Sequence, residues 1–379
     1  MKSIYLDHAA TTPVHPDVVE AMVPVYQETF GNPSSVHQFG RKARSILDKA
    51  RRKAASSLNA HEKEIVFTSG GTEADNLAVI GTARANKDKG SHIITTSIEH
   101  HATLHAVEFL ETEGFDVTYL PVDENGHVQL EDIKQALRED TILVSIMMVN
   151  NETGAVQPIA ETAELLKDHQ AYLHSDIVQA YGLMEIDVKE LGVDLLAVSG
   201  HKINGPKGVG FLYVKEGTVL SSQQYGGEQE RKRRAGTENV PAVRGLQAAI
   251  EVMEANRSTY QEKYLHYKRS FIQTLKDQEV AFEVNGNEET TAASIVNISF
   301  TGMNVETLLT NFDLSGIAAS SGSACTAGSV EPSHVLTAMF GPGHPKTTNS
   351  IRFSFGLAND EGDVIEAAEK ISQIIKRLA

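Results

Sequence analysis

The sequence predicts an α/β fold in two parts. A large domain carries a mostly parallel central sheet between helices, and a smaller α+β domain is attached to it. Three observations lead there. Short β-branched or apolar runs alternate with helix-periodic stretches from residue 64 to residue 214. A nearly unbroken helical stretch, 241–277, comes after the last of these runs. Beyond it lie fewer strand-like segments and a closing amphipathic helix.

The strand-like runs are, in order, EIVFTS (64–69), SHIITTSIE (91–99), DVTYLPV (116–122), DTILVSIMMVN (140–150), AYLHSD (171–176), DLLAVSGH (194–201) and GVGFLYV (208–214). Helical stretches such as DNLAVIGTARANK, ATLHAVEFLETEG and AETAELLKDHQ separate most of them. Strand–helix–strand repeats read as βαβ units, hence a parallel sheet covered on both faces. The stretch PAVRGLQAAIEVMEANRSTYQEKYLHYKRSFIQTLKD is long enough to connect two domains. After it come ASIVNISF (293–300), the helical VETLLTNFD, SIRFSFG (350–356) and the helix EGDVIEAAEKISQIIKRLA. The expected division is a large domain over 15–257 and a small domain built from 1–14 and 258–379, which holds a loop of about 318–337 around Cys325.

Composition narrows the function. A net charge of −16 argues against direct binding to nucleic acid or to anionic membranes. Cys325 is the single cysteine of 379 residues, so an internal disulfide and a cysteine-based zinc site are excluded. The start MKSIYLDHAATTP reaches Asp7 after a very short apolar run and is not expected to act as a signal peptide. No run of about 18 apolar residues is present to span a membrane. The expected location is the cytoplasm.

In a parallel sheet, ligands bind beyond the carboxyl ends of the strands. The residues at the ends of these runs are Ser69-Gly70-Gly71-Thr72, Glu99-His100, Asn150-Asn151, Asp176 and Ser199-Gly200-His201-Lys202. TSGGTEADN is a Gly-rich turn entering a helix, a setting suited to phosphate. As a plain helix start it would use Thr72 as N-cap and Asp75 as an early-turn acid. It lacks the Gly-Lys-Ser/Thr of a P-loop and the GxGxxG of a dinucleotide site. Lys202 comes after a strand inside SGHKINGPKGVG, where a desolvated lysine can form a Schiff base with an aldehyde cofactor; Lys207 is its competitor, on what reads as an exposed turn tip. Asp176 either caps a helix or pairs with a protonated pyridine nitrogen, as pyridoxal phosphate requires.

His101 and His105 have metal-pair spacing, but no third ligand pattern accompanies them, so no metal site is expected. His100 sits at a strand end, where its ring can stack on a flat cofactor. The basic run Arg231 to Arg234 suits a local anion or a subunit contact. Arg352 is either an edge-strand solubiliser or a bidentate carboxylate clamp. Cys325 lies in SSGSACTAG, a composition that favours an exposed loop, whereas most free cysteines are buried.

Taken together, YLDHAATTP, GNPSSVHQFGR, FTSGGTEADN, SIEHHA, VNNETG, HSDIVQA, SGHKINGPKGVG, RRAGTEN and SSGSACT resemble the cysteine desulfurases, in family order and over nearly the whole chain. These are pyridoxal-phosphate enzymes of the aspartate-aminotransferase-like fold (fold type I). The match is to the NifS/IscS-like branch with the long cysteine loop. The resemblance implies that Lys202 bonds the cofactor aldehyde, Asp176 pairs with the pyridine nitrogen, Gln179 bonds the ring hydroxyl and His100 stacks on the ring. It implies that Gly71, Thr72, Ser199 and His201 hold the phosphate, and that Thr237 reaches the phosphate of a neighbouring subunit's cofactor in a homodimer with shared active sites. Asn151, beside the cofactor, and Arg352 would hold the substrate carboxylate. Ile177 and Leu357 depart from the family pattern, and Gly328 and His334 vary in the cysteine loop.

The implied reaction converts L-cysteine to L-alanine. Lys202 moves the Cα proton, and Cys325 as thiolate takes the sulfur as a persulfide, with His100 as a nearby base. The sulfur then passes to an acceptor protein, an iron–sulfur scaffold or a tRNA-thiolating enzyme. The rival readings are a selenocysteine lyase or other fold type I enzyme, and a non-catalytic scaffold of this fold.

Overall fold

The computed structural model describes residues 2–321 and 332–378. After the two-residue β1 (Ile4–Tyr5), the chain forms β2 (Ile65–Thr68), β3 (His92–Thr96), β4 (Asp116–Leu120), β5 (Thr141–Ser145), β6 (Tyr172–Asp176), β7 (Leu195–Ser199) and β8 (Gly210–Val214). Strands β2 to β8 make one seven-stranded sheet in the order β2-β8-β7-β6-β5-β3-β4. The pairs β7/β6, β6/β5, β5/β3 and β3/β4 are parallel, whereas β8 runs antiparallel to both its neighbours.

The reversal at β8 has a simple cause. Only residues 200–209 separate it from β7, fewer than the dozen or so that a parallel crossover needs. Because β2 reverses again, the carboxyl ends of β2, β3, β5, β6 and β7 share one edge. Strands β3, β5, β7 and β8 are buried at every residue, which is why they read as continuous apolar runs without alternation. Strands end sooner than the apolar runs do. Beyond Ser145, Ile146 and Met148 still donate to β6 carbonyls, but the Met147 amide turns to the Glu99 carboxylate.

A three-stranded antiparallel sheet, β12-β10-β9, is built from β9 (Phe282–Asn285), β10 (Ile295–Phe300) and β12 (Ser350–Ser354). The short β11 (Ile317–Ala318) pairs in parallel with β1. The helix Val240–Asp277, with Pro241 in its first turn, runs between two apolar cores. Its Val243, Leu246 and Met253 pack with Leu47, Ile203 and Phe211. Its Tyr264, Phe271 and Leu275 pack with Ile4, Leu6, Phe353 and Phe355. The amino-terminal segment thus shares a core with the carboxyl-terminal third, and residues 7–12 cross onto the edge where the large sheet's strands end.

Candidate functional site

The shared strand edge forms a cleft of about 1040 Å³, counting its open mouth. Gly71, Thr72, His100, Asn151, Asp176, Gln179, Ser199, His201, Lys202 and Arg352 all line it. At one end, the helix Gly71–Ala85 starts directly after β2. Its N-cap is Gly70, not Thr72, and no side chain caps it, so its first N–H groups stay available to an anion. Gly70 adopts φ 152°, ψ −170°, a region essentially restricted to glycine. A Cβ on Gly71 would stand 3.0 Å from Val178 Cγ2, inside the cradle. Asp75 is no early-turn acid either; it is buried and lines the cleft.

Asp176 ends β6, 6% exposed, with Oδ1 accepting the Val178 amide at 2.8 Å. Burial pushes its pKa up to about 6, against the pull of that amide and of Lys202. Lys202 closes the short 3₁₀ turn Gly200–Lys202 after β7. Its Nζ donates to the carbonyls of Ala9 and, at 2.9 Å, Ala10. Burial first, then the charge of Arg352, lowers its pKa to about 8. Lys207 is exposed, as its turn suggested. Gln179 Nε2 donates to Ala9 O at 2.9 Å, and the His201 ring lies 3.1 Å from Thr11 Oγ1.

His100 caps the helix His101–Thr112, its Nδ1 accepting the Ala102 amide at 3.1 Å. The neutral ring therefore carries its proton on Nε2. Desolvation by the surrounding protein, then the positive charge of Lys202, lowers its pKa to about 4. The side chain is exposed to the cleft, which weakens the first of these causes and leaves the direction intact. To act as a base toward a thiol, the ring would have to free Nδ1 from the cap.

Arg352 lies on the edge strand β12 yet is only 4% exposed, so it is no solubiliser. It donates through Nη1 to Asn151 O and through Nη2 to Asp7 Oδ1, both at 2.8 Å, while its buried Nε has no partner among the described residues. Asp7 also accepts from Ser320 Oγ at 2.8 Å, and Ser320 bridges Arg352 through the backbone. On the far side Glu152, 1% exposed, accepts from Ser333 Oγ at 2.5 Å, and His334 Nε2 donates to Glu99 O at 2.9 Å. Sequence reasoning does not single out Asp7, Glu152 or Ser320. The motifs YLDHAATTP and VNNETG contain the first two, and they are the available signal.

Cys325 and Gly328 lie outside the described residues. Thr237 does not line this cleft and is exposed. Ile177 and Leu357 pack in the two apolar cores, away from the cleft. His101 and His105 share a helix face with rings stacked 5.0 Å apart, and among the described residues no group of three metal-ligating side chains forms.

The donor set fits pyridoxal phosphate. An uncapped helix start with Ser199 and His201 suits the phosphate. A buried carboxylate stands within the same cleft as a lysine of lowered pKa. Arg352 lines the same cleft with a buried Nε that has no partner among the described residues.

The chain matches the family described as aminotransferase class-V over residues 4–366. It is 58% identical over 378 residues to the putative cysteine desulfurase IscS 1 of Bacillus subtilis (strain 168), with both chains covered in full. It is 48% identical to the cysteine desulfurase IscS of Methanosarcina thermophila, covering 100% of this chain and 93% of that one. Among solved structures, a NifS-like protein superposes with a TM-score of 0.93 at 33% identity, covering 99% of this chain and 100% of its own. The structure of SspA in complex with cysteine matches with a TM-score of 0.83 at 35% identity, covering 93% and 99%.

Proposed function

The chain belongs to the aminotransferase class-V family and is a pyridoxal-phosphate-dependent cysteine desulfurase, and from that premise we propose how its own residues divide the work. Gly71, Thr72, Ser199 and His201 hold the phosphate, Gln179 and His100 hold the ring, and Asp176 holds the pyridine nitrogen protonated. The cofactor, when bound, supplies an electron sink at the substrate Cα. Lys202 Nζ would hold the cofactor through its aldehyde, and the same amine would carry the substrate Cα proton. Asn151 and Arg352 orient the carboxylate of L-cysteine. Cys325 attacks as thiolate: its S–S bond to the substrate sulfur forms as the Cβ–S bond breaks. The bond pair stays with the carbon skeleton, which takes up a proton to become alanine. The persulfide then passes to an acceptor protein serving iron–sulfur assembly or tRNA thiolation.

The observation that carries this reading is the convergence on one cleft of Asp176 from the end of β6, Lys202 from the turn after β7 and Arg352 from β12. The test is turnover of L-cysteine by the purified protein with reductant. Alanine and sulfide are expected in equal amounts; alanine without sulfide, or no alanine, would sink the proposal.

Two further results are expected. The neutral amine of Lys202 is the form that reacts, and its fraction rises with pH up to the pKa of about 8. Incorporation of pyridoxal phosphate into the apoprotein should therefore speed up about tenfold per pH unit below that value and level off above it. Stopped-flow absorbance checks this, and a flat profile from pH 6 to 9 would contradict it. Arg352→Lys loses the planar two-pronged donor. It should raise KM for cysteine about tenfold or more, worth about 1.4 kcal/mol per decade, with the cofactor still bound.

The active form is a homodimer with shared sites. Tyr26, Phe30, Val36 and Phe39 are all exposed, Phe30 being 77% and Val36 88% exposed, with the rings of Phe30 and Phe39 stacked at 5.3 Å. The phosphate end of the cleft opens to the surface between Ser69, Thr72, His201 and Lys207, where a partner's Thr237 would enter. Phe30→Glu is expected to give a monomer by light scattering; a dimer of unchanged stability would place the interface elsewhere. The two cores support a division into domains at 15–257 and at 1–14 with 258–379.

A further inference from the structure

Behind the cofactor position lies an ionisable pair that the proposed reaction does not use. Asp75, the fifth residue of the helix Gly71–Ala85, lines the cleft and is 1% exposed. His174, two positions before Asp176 on β6, is 0% exposed. Among the described residues, Asp75 Oδ1 and His174 Nε2 are each buried without a hydrogen-bond partner, and they lie 3.5 Å apart. The other ring nitrogen of His174, Nδ1, is 2.8 Å from Ser145 Oγ on β5.

Three carboxylates occupy this dry ground. Glu99 is satisfied by Thr96 Oγ1 and the Met147 amide. Asp176 has the Val178 amide and the nearby charge of Lys202. Asp75 has neither an amide donor nor a lysine or arginine partner among the described residues. Adjacent buried carboxylates do not both stay ionised. We propose that Asp75 and His174 share one proton as an electrically neutral pair, a positioning device that leaves Asp176 as the sole negative charge facing the pyridine nitrogen.

The proton count closes without further groups. A neutral imidazole has one N–H and one lone pair. The Nε2 lone pair faces the Asp75 carboxyl across 3.5 Å, a contact longer than an ordinary hydrogen bond, and Nδ1–H donates to Ser145 Oγ. Burial, then the charge of Asp176, holds the Asp75 carboxyl well above the usual carboxylate range, and burial lowers the His174 ring to about 3; burial likewise raises Glu99 to about 8, which favours its neutral form. The directions at Asp75 and His174 both favour this arrangement over an ion pair. If His174 is lost, the Asp75 proton turns to Asp176 instead and dilutes the charge that holds the pyridinium.

The inference rests on the proposed role of Asp176, and the test separates the two. The holoenzyme is loaded with cofactor labelled with ¹⁵N at the pyridine nitrogen, whose chemical shift reports protonation. Asp176→Asn serves as the control: if it keeps the pyridinium signal, the Asp176 reading fails rather than the pair. His174→Leu is expected to shift the signal toward the neutral form and weaken cofactor binding about tenfold. Asp75→Asn, neutral like the acid it replaces, should leave the shift in place. The double variant should regain the pyridinium signal lost in His174→Leu. An unchanged signal in His174→Leu, a loss in Asp75→Asn alone, or no recovery in the double variant would overturn the proposal. Should His174→Leu not fold, infrared spectra of the unsubstituted holoenzyme decide. A protonated carboxylic acid band that vanishes in Asp75→Asn is expected, and its absence overturns the pair.

Discussion

Replacing Cys325 by serine is expected to lower cysteine turnover on the order of 10³-fold or more, the scale on which enzymes lose activity when their nucleophile is removed. Cofactor content should be unchanged, because the groups proposed to hold the cofactor are all left in place. A serine hydroxyl is a poor nucleophile at neutral pH and cannot form an S–S bond. A free thiol with a pKa near 8.5 already supplies some thiolate. Because Cys325 is the chain's single cysteine, a sulfur adduct found by mass spectrometry on the unsubstituted protein maps there without ambiguity. The adduct should appear on addition of L-cysteine and disappear with reductant or with the substitution. Undiminished alanine production by Cys325→Ser would instead favour lyase chemistry, in which the substrate sulfur leaves without a protein acceptor.

Lys202→Ala is expected to lower turnover about 10²–10⁴-fold from the loss of proton transfer alone. Borohydride should no longer fix the cofactor to the protein. The substitution leaves the Ala9 and Ala10 carbonyls, which line the cleft, without the Nζ donor. Water in the cleft can bond them, so folding should survive. Added methylamine should restore part of the activity, as a small amine can take the vacated position. Retention of full activity, or borohydride fixation at Lys207, would move the assignment to Lys207.

Much of the fold is legible in local pattern. Strands buried on both faces appear as apolar runs, and the helix Val240–Asp277 is legible to within a residue because Pro241 marks its first turn. The strand β9 escapes that rule: Phe282–Asn285 is only partly buried and carries no apolar run. The expected Thr72 cap fails for a different reason. Thr is a common N-cap, but the chain enters the helix through Gly70 in a conformation that Thr would not adopt. In the site, the residues at strand ends are legible because a parallel sheet sends them to one edge. Asp7 and Glu152 are not, because their partners are remote: Asp7 bonds Arg352 across 345 positions, and Glu152 bonds Ser333 across 181.

The sequence by itself determined the alternation of strands and helices, the chemical inventory at the strand ends and the single thiol, since these depend on periodicities of two to four residues and on residue type. Only the tertiary structure decided which charges meet. It brought Arg352 to Asp7 and Asn151, set Lys202 beneath the carbonyls of Ala9 and Ala10, and left Asp75 facing His174. Electrostatic interactions strengthen as the dielectric falls, so these partners acquire their properties from burial and strand order, which no local stretch of sequence encodes.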